Sequence, residues 1–317
     1  MDRYDLYGVQ YGTVLIGGIT AQNLVTGTTA EGVPSSGSVF PSVMSITAQN
    51  PTGGFTTYNL AAALTALSDA VQGIFSAPID GAAEVLKPLN FYLQKYAEGG
   101  GRAAGSVHRK LGIQRGLVYP QMLTCDHQKS ATLSYNLLVG YDGTNDPIVP
   151  SDTETLPTPL TDAERFTLGP IKIGPLILTA FKRLQIDFGV RAAAEGAESA
   201  LWPTHTSVVQ IAPRITIDGI DPKWFAASGA VALAGLAAAH ADTIIYLRKL
   251  AIGGTFVADD VAEHISFTLA GLAHMDKVAD VSTGPAGVSL SIPLYHDGNN
   301  LPLLVSTTAE IESFEEE

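Results

Sequence analysis

Apolar and polar residues alternate along much of this chain. In the stretches Leu133 to Val139 and Val288 to Leu294, every second position is apolar: Leu133, Tyr135, Leu137, Val139, then Val288, Leu290, Ile292, Leu294. That period predicts strands with one buried face, because successive side chains on a strand point to opposite sides. "YGTVLIGGIT", "SVMSIT", "FYLQKY" and "LVYPQMLTC" read as further strands. A helical period occurs once in the first half. Leu60, Leu64, Leu67, Val71 and Ile74 form one apolar stripe, with Asn59 as its expected N-cap. In the second half, Asp221-Pro222 is a helix start signal, followed by an Ala-rich stretch through Ala239.

The pattern is written twice. Asp142, Gly143, Asn145 and Pro147 return as Asp297, Gly298, Asn300 and Pro302, 155 positions on. "FYLQKYAEGG" (91–100) faces "IYLRKLAIGG" (245–254) at offset 154. "VFPSVMSITAQNP" (39–51) faces "LWPTHTSVVQIAP" (201–213) at offset 162, which aligns Pro41 with Pro203 and Pro51 with Pro213. "LVYPQMLTC" is set against "ISFTLAGLA" at offset 148, which matches Cys125 with Ala273. Collinear blocks with drifting offsets predict two homologous units with small loop insertions, too long for solenoid repeats.

The expected organisation is a first domain at 1–150, a Pro-rich acidic linker at 151–162, a second domain at 163–311 and an acidic tail at 312–317. Each unit should hold six to eight strands and one packed helix. The predicted fold class is mainly β: two tandem homologous β-sandwich domains, each with one packed α-helix. Asp142-Gly143 and Asp297-Gly298 are expected hairpin turns.

Composition narrows the function. The chain has 317 residues, 46% hydrophobic and 15% charged, with a formal net charge of −13. That charge argues against a surface built to wrap nucleic acid. One cysteine, Cys125, excludes an internal disulfide framework. "MDRYDLYG" carries no basic-plus-apolar signal, and the apolar run from Trp224 to Ala239 is too short for a good membrane span. The reading is a soluble acidic protein made in the cytoplasm, with no membrane partner.

Catalytic signals are missing. The histidines at 108, 127, 205, 240, 264, 274 and 296 are scattered, with no zincin pattern. Cys125 beside His127 reads as a small buried thiol. "DGTND" (142–146) lacks the glutamate of an EF-type loop, and "EGGGR" (98–102) lacks the Lys-Ser/Thr of a P-loop, so both read as turns. No enzyme activity, cofactor or metal is expected.

A β-sandwich with one helix, written twice without catalytic signals, resembles the tail tube proteins of long-tailed bacteriophages, in their duplicated two-domain form. The polar segment "TAQNLVTGTTAEGVPSSGS" (20–38) looks like the extended loop that such proteins lay on the next ring, and "PLLVST" resembles their final strand. The resemblance implies a virion protein whose chains form trimeric, pseudo-hexameric rings that stack into a tube conducting DNA without specific binding. Its implied partners are itself, a tape-measure protein, and tail terminator or baseplate proteins. The segment 20–38 is then expected to order only on assembly. A single-ring tail hub or distal tail adaptor is the first alternative. A carbohydrate-binding or adhesin sandwich is the second; it would need exposed aromatics, and Trp202 matches Phe40, which suggests core packing.

Charge contrast supplies the candidate assembly residues. The first unit carries Arg102, Arg109, Lys110 and Arg115, and the matching part of the second carries Asp259, Asp260 and Glu263. In a ring, such segments are expected to alternate or to face each other, fixing register.

Overall fold

The computed structural model describes residues 2–34, 37, 39–68, 75–80, 87–98, 100–157, 164–173, 176–178, 181–197, 200–219, 238–251, 253–280, 287–296 and 301–312. The protein is mainly β. Its first half holds β1 (Tyr4–Tyr11), β2 (Val14–Ile16), β3 (Ile19–Val25), β4 (Thr28–Pro34), β5 (Pro41–Gln49), β6 (Thr52–Thr57), α1 (Leu60–Ala66), β7 (Ala77–Asp80), β8 (Leu89–Lys95), β9 (His108–Ile113), β10 (Arg115–Asp126), β11 (Thr132–Val139) and β12 (Val149–Glu154). The second half holds β13 (Arg165–Ile173), β14 (Leu176–Leu178), β15 (Phe181–Asp187), β16 (Val190–Glu195), β17 (His205–Ile211), β18 (Arg214–Gly219), β19 (Ala238–Leu250), β20 (His264–Asp280), β21 (Gly287–Pro293) and β22 (Leu303–Ala309).

In the first half one sheet runs β12-β9-β8-β1-β2, and a second runs β10-β11-β6-β3. Phe55 of β6 meets Phe91 of β8 edge-on at 6.0 Å and stacks on Tyr135 of β11 at 5.0 Å. The two sheets therefore share a core, the arrangement of a β-sandwich. Strand alternation drives it: in β11, Leu133, Tyr135, Leu137 and Val139 are buried and the residues between them are half-buried. The helix stripe closes the core through Leu60, Leu64 and Leu67, all fully buried.

Pairing registers recur in the second half. Val9 opposite Ile16 becomes Ile171 opposite Leu178, each 162 positions on. Tyr4 opposite Lys95 becomes Phe166 opposite Lys249, and Val9 opposite Phe91 becomes Ile171 opposite Ile245. The β3–β6 ladder matches β15–β18 from Ile19–Thr57 and Phe181–Gly219 onward, with a bulge at the same place. Leu133 opposite Thr57 becomes Val288 opposite Gly219. The "EGGG" turn, where Gly100 N–H donates to Ala97 O, returns as Gly254 to Ala251, with φ of +87° and +88°. One difference concerns continuity. In the first half β7 and β8 are separate strands, as are β9 and β10, which meet at Gln114. Their counterparts are single long strands, β19 and β20, which join both sheets of the second half into one thirteen-stranded sheet that runs β14-β13-β19-β20-β21-β18-β15-β10-β11-β6-β3, with β22 on β20 and β7 on β10.

Several expectations are corrected. The segment 20–38 is not one long loop: its described residues fall largely in β3 and β4. Pro150 and Ser151, placed at the first domain's end and the linker's start, both lie within β12, which pairs with β9. Beyond it Leu156 is buried, and Tyr7 Oη donates to Pro157 O (3.0 Å), so ordered sheet continues into the expected linker. Asp142-Gly143 is not a hairpin, since β11 and β12 belong to different sheets. Its carboxylate accepts the N–H groups of Thr144 (2.8 Å) and Asn145 (2.7 Å), an Asx-type turn with Gly143 at φ +93°. Burial pushes the Asp142 carboxyl up, but the hydrogen bonds from Asn145 and Thr144 outweigh that and hold it below the usual range. Asn59 precedes α1 without making a side-chain cap bond. The offset of 148 fails: Pro120 opposite Tyr135 returns as Met275 opposite Leu290, at offset 155, so Ala273 is not the counterpart of Cys125. The rest of the first stripe (Val71, Ile74), the second predicted helix as far as residue 237, the Asp297-Gly298 turn and most of the acidic tail lie outside the described residues.

Candidate assembly interface

In each half, the edge of the second sheet is a bent ribbon. Strands β3 and β4 run out and β5 and β6 run back; β15–β16 and β17–β18 do the same. The bend falls at Gly27 and Asn50-Pro51, and at Gly189 and Ala212-Pro213. Gly27 has φ +56° and Gly189 φ +58°. A Cβ on Gly27 would lie 2.1 Å from Asn50 O, and one on Gly189 would lie 1.9 Å from Ala212 O. Only glycine fits there. The matched prolines close the bend: Pro51 O accepts Val139 N–H (3.1 Å), and Pro213 O accepts Leu294 N–H (3.0 Å). Past the bend, each ribbon leaves its sheet as a two-stranded arm.

The halves meet edge to edge. Strand β15 pairs with β10, from Met122 opposite Asp187 to Asp126 opposite Arg183, so one sheet continues into the other. Around this ladder, His127 N–H donates to Lys182 O (2.7 Å), Ala131 N–H to Phe166 O (2.7 Å) and Phe188 N–H to Gln121 O (3.1 Å). Arg183 pairs with Asp126 at 3.4 Å. Phe75 and Phe188, both buried, pack with ring centres 5.1 Å apart. One hydrophobic cluster spans both halves.

The second arm, β16–β17, lies across β10 and β11 of the first half. Its tip carries Trp202, which packs on Tyr141 at 4.9 Å and donates from Nε1 to Gln49 Oε1 (2.7 Å). Tyr141 N–H donates to Pro203 O (2.7 Å), and Gln49 N–H to Leu201 O (2.8 Å). Trp202 is thus a junction residue and not the core residue its match with Phe40 suggested. An open polar cavity of about 410 Å³ lies beside this arm, lined by Gln121, Asn136, Asp187, Arg191 and Gln210 among others.

The first arm, β4–β5, touches the tip of the second through Gln49, but most of its described residues are exposed. All seven residues of β4 are exposed, and Val33, Val39, Phe40, Val43, Met44 and Ile46 expose 52–90% of their surface. Among the described residues, β3 pairs only with β6, and β20 from His274 to Asp280 pairs only with β21. Both strands therefore present an open edge.

Five of the seven charged candidates are engaged inside their own halves. Arg109 forms an ion pair with Asp152 and lies over the Tyr4 ring at 4.7 Å. The Asp152 hydrogen bond raises the Arg109 pKa, and Arg109 lowers that of Asp152. Lys110 meets Glu154 at 2.6 Å. Arg102 lies 5.4 Å from the Tyr7 ring centre, and Arg115 is exposed at the start of β10. Asp259 pairs with Arg248 (2.7 Å) and Glu263 with Lys249 (3.0 Å), while Asp260 has no ion pair among the described residues. The two segments do not meet within the chain. Their acids and bases are not at matching positions either: β8–β9 pairs Tyr92 with Lys110, and its counterpart pairs Tyr246 with Ser266.

Buried titratable groups serve the fold. His108 Nδ1 accepts Lys95 N–H (3.0 Å), and His264 Nδ1 accepts Lys249 N–H (3.1 Å), the same position in each half. Burial, aided by the Arg102 charge, lowers the His108 pKa. Cys125 is fully buried against β15, and burial, with Asp126 adding to it, pushes its thiol up to about 12, far from a reactive thiolate. Among the described residues no His, Cys, Asp and Glu cluster could hold a metal ion, and no helix is long and apolar enough to cross a membrane. The 162-residue match of the arms was already legible in the sequence. It placed Phe40 against Trp202 but could not say which of them was covered. No protein-family profile matches this sequence, and no curated protein matches it significantly.

Proposed function

We propose that this chain is a self-assembling structural subunit built from two homologous β-sandwich units, and that its rings stack into a tail tube of the long-tailed phage type. The observation that carries the reading is the β10–β15 junction. It joins the two units edge to edge, and among the described residues the same kinds of edge recur open on β3 and on β20 from His274 to Asp280. A head-to-tail contact that repeats itself generates rings or filaments. The recurrence of registers, bulges and turns at constant offsets supports duplication of one ancestral unit. Each chain would then supply two neighbouring sectors of a ring, and three chains would close a pseudo-sixfold circle. A net charge of −13 suits a conduit that must let DNA slide, because each Lys or Arg contact to phosphate would add salt-dependent grip.

Mass measurement and negative-stain microscopy of concentrated protein test the reading. Rings of three chains that stack into tubes are the expected result. Single rings that never stack would favour a tail hub or adaptor. A monomer at every concentration would overturn the reading.

A further inference from the structure

We infer that the exposed β4–β5 arm is an intermolecular strap whose partner is the second half of another copy of this chain. The inference rests on the ring reading above but names surfaces which that reading does not. Inside the chain, the equivalent arm already has its seat. Thr206 and Val208 of β17 are half-buried where that arm crosses the first half, and Trp202 sits on Tyr141. The same offset of 162 takes these three residues back to Met44, Ile46 and Phe40, which are 67%, 54% and 75% exposed. The covered arm bears a threonine and a valine at the two strand positions. The exposed arm bears a methionine and an isoleucine, so the larger apolar surface is on the arm that is more open to solvent. Isolated two-stranded ribbons of this kind are marginal in water. Six large apolar residues exposed on one ribbon mark a contact surface.

The seat recurs as well. Gly140 N–H donating to Arg115 O returns as Tyr295 N–H donating to Ala270 O, which places His296 where Tyr141 stands. Tyr295 is 40% exposed beside it. The strand edges follow the same correspondence. Met122 opposite Asp187 translates into Lys277 of one copy opposite Val25 of the next. A bulge follows in β20 between Lys277 and Asp280, so Asp280 takes the place of Thr124 and faces Asn23. The new ladder extends the sheet, and the arm then lies over β20 and β21 of the neighbour with Phe40 beside Tyr295 and His296.

Two experiments test this. First, Val25→Cys and Lys277→Cys are made in separate chains, mixed and oxidised. A disulfide-linked dimer is expected from the mixture and not from either chain alone; buried Cys125 does not compete. Second, Met44→Glu combined with Ile46→Glu should leave the monomer folded, because both positions are exposed, and should raise the concentration needed for assembly by about tenfold or more. If rings form with the expected mass but neither the crosslink nor the arm substitutions have an effect, the strap is wrong and the ring reading stands. If the wild-type chain stays monomeric, both fail.

Discussion

The two arms are nearly the same object in different surroundings. Each leaves its sheet at a glycine with φ near +57°, pairs in the same register and carries a bulge after its second residue pair. One lies across the first half, with its tip aromatic stacked and hydrogen-bonded. The other exposes its apolar residues. The difference shows that burial of a β-ribbon here is decided by what stands next to it and not by the ribbon's own pattern. The neighbour of the second arm is the first half of the same chain; the strap inferred above would give the first arm its neighbour in another copy.

Substituting the bend glycines should break the comparison most severely. Gly189→Ala puts a Cβ 1.9 Å from Ala212 O in an arm that is part of the packed junction. The expected loss is on the order of 3 kcal/mol, read by urea unfolding of the monomer. Gly27→Ala is sterically similar, with a Cβ 2.1 Å from Asn50 O, but it distorts an arm that is exposed along β4 and most of β5. It should cost the monomer only about 1 kcal/mol and should show its larger effect on assembly. Equal losses would mean that the first arm is as firmly packed as the second.

The tip aromatics come next. Trp202→Ala removes the stack on Tyr141 and leaves Gln49 without its indole donor. About 2 kcal/mol of monomer stability should be lost. Phe40→Ala, at a side chain 75% exposed, should stay within about 0.5 kcal/mol of wild type in the same measurement. If both behave alike, the arms are not equivalent in the way the registers suggest.

Strand period made much of this fold legible in the sequence. The alternation in β11 and β21 and the turn "EGGG" are visible by eye, and the block offsets of 154, 155 and 162 coincide with the pairing registers. What could not be read was three-dimensional. The offset of 148 slid "LVYPQMLTC" along β20, because alternating apolar runs match one another at many shifts and only the ladder with β11 fixes the register. Thr20 to Ser38 looked like a loop because β4 is exposed on both faces and β3 is only half-buried on one, so neither carries an apolar period. Asp142-Gly143 gave the right local turn and the wrong topology, since turn chemistry does not say which sheet the next strand joins. The candidate interface was legible as the polar segment 20–38, as the offset-162 match and as a charge contrast. The junction itself depends on backbone edges, which leave no mark on side-chain composition.

The matched histidines offer a smaller test, read as acid sensitivity. His108 accepts a backbone N–H through Nδ1, and burial together with the Arg102 charge disfavours its protonated form. Its folded pKa is therefore depressed below the ordinary 6.5. The folded state binds fewer protons there than the unfolded state, so the stabilising contribution is complete above pH 6.5 and is lost as pH falls below it. His108→Gln should flatten the fall of melting temperature below pH 6.5 relative to wild type. An unchanged acid limb would show that carboxylates alone govern it.

The smallest expected effect is also the one that decides between two uses of charge. Arg109 and Lys110 have partners in β12, Asp152 and Glu154, while Asp259 and Glu263 have partners in β19, Arg248 and Lys249. All these groups are partly exposed, so their pairs contribute little to stability and are screened by salt. Reversing Arg109 and Lys110 to Glu places four acids together on the edge formed by β9 and β12. The edge strand β12 should loosen slightly, seen as faster amide exchange in residues 149–154 with little change in melting temperature. The repair then discriminates. If charge acts within each half, Asp152→Lys with Glu154→Lys restores protection, and Asp259→Lys with Asp260→Lys does nothing. If the basic and acidic segments instead face each other between chains, the second pair restores assembly in low salt and the first does not. The geometry inside the chain favours the first outcome, because every close ion pair of Arg109, Lys110, Asp259 and Glu263 is already made within its own half.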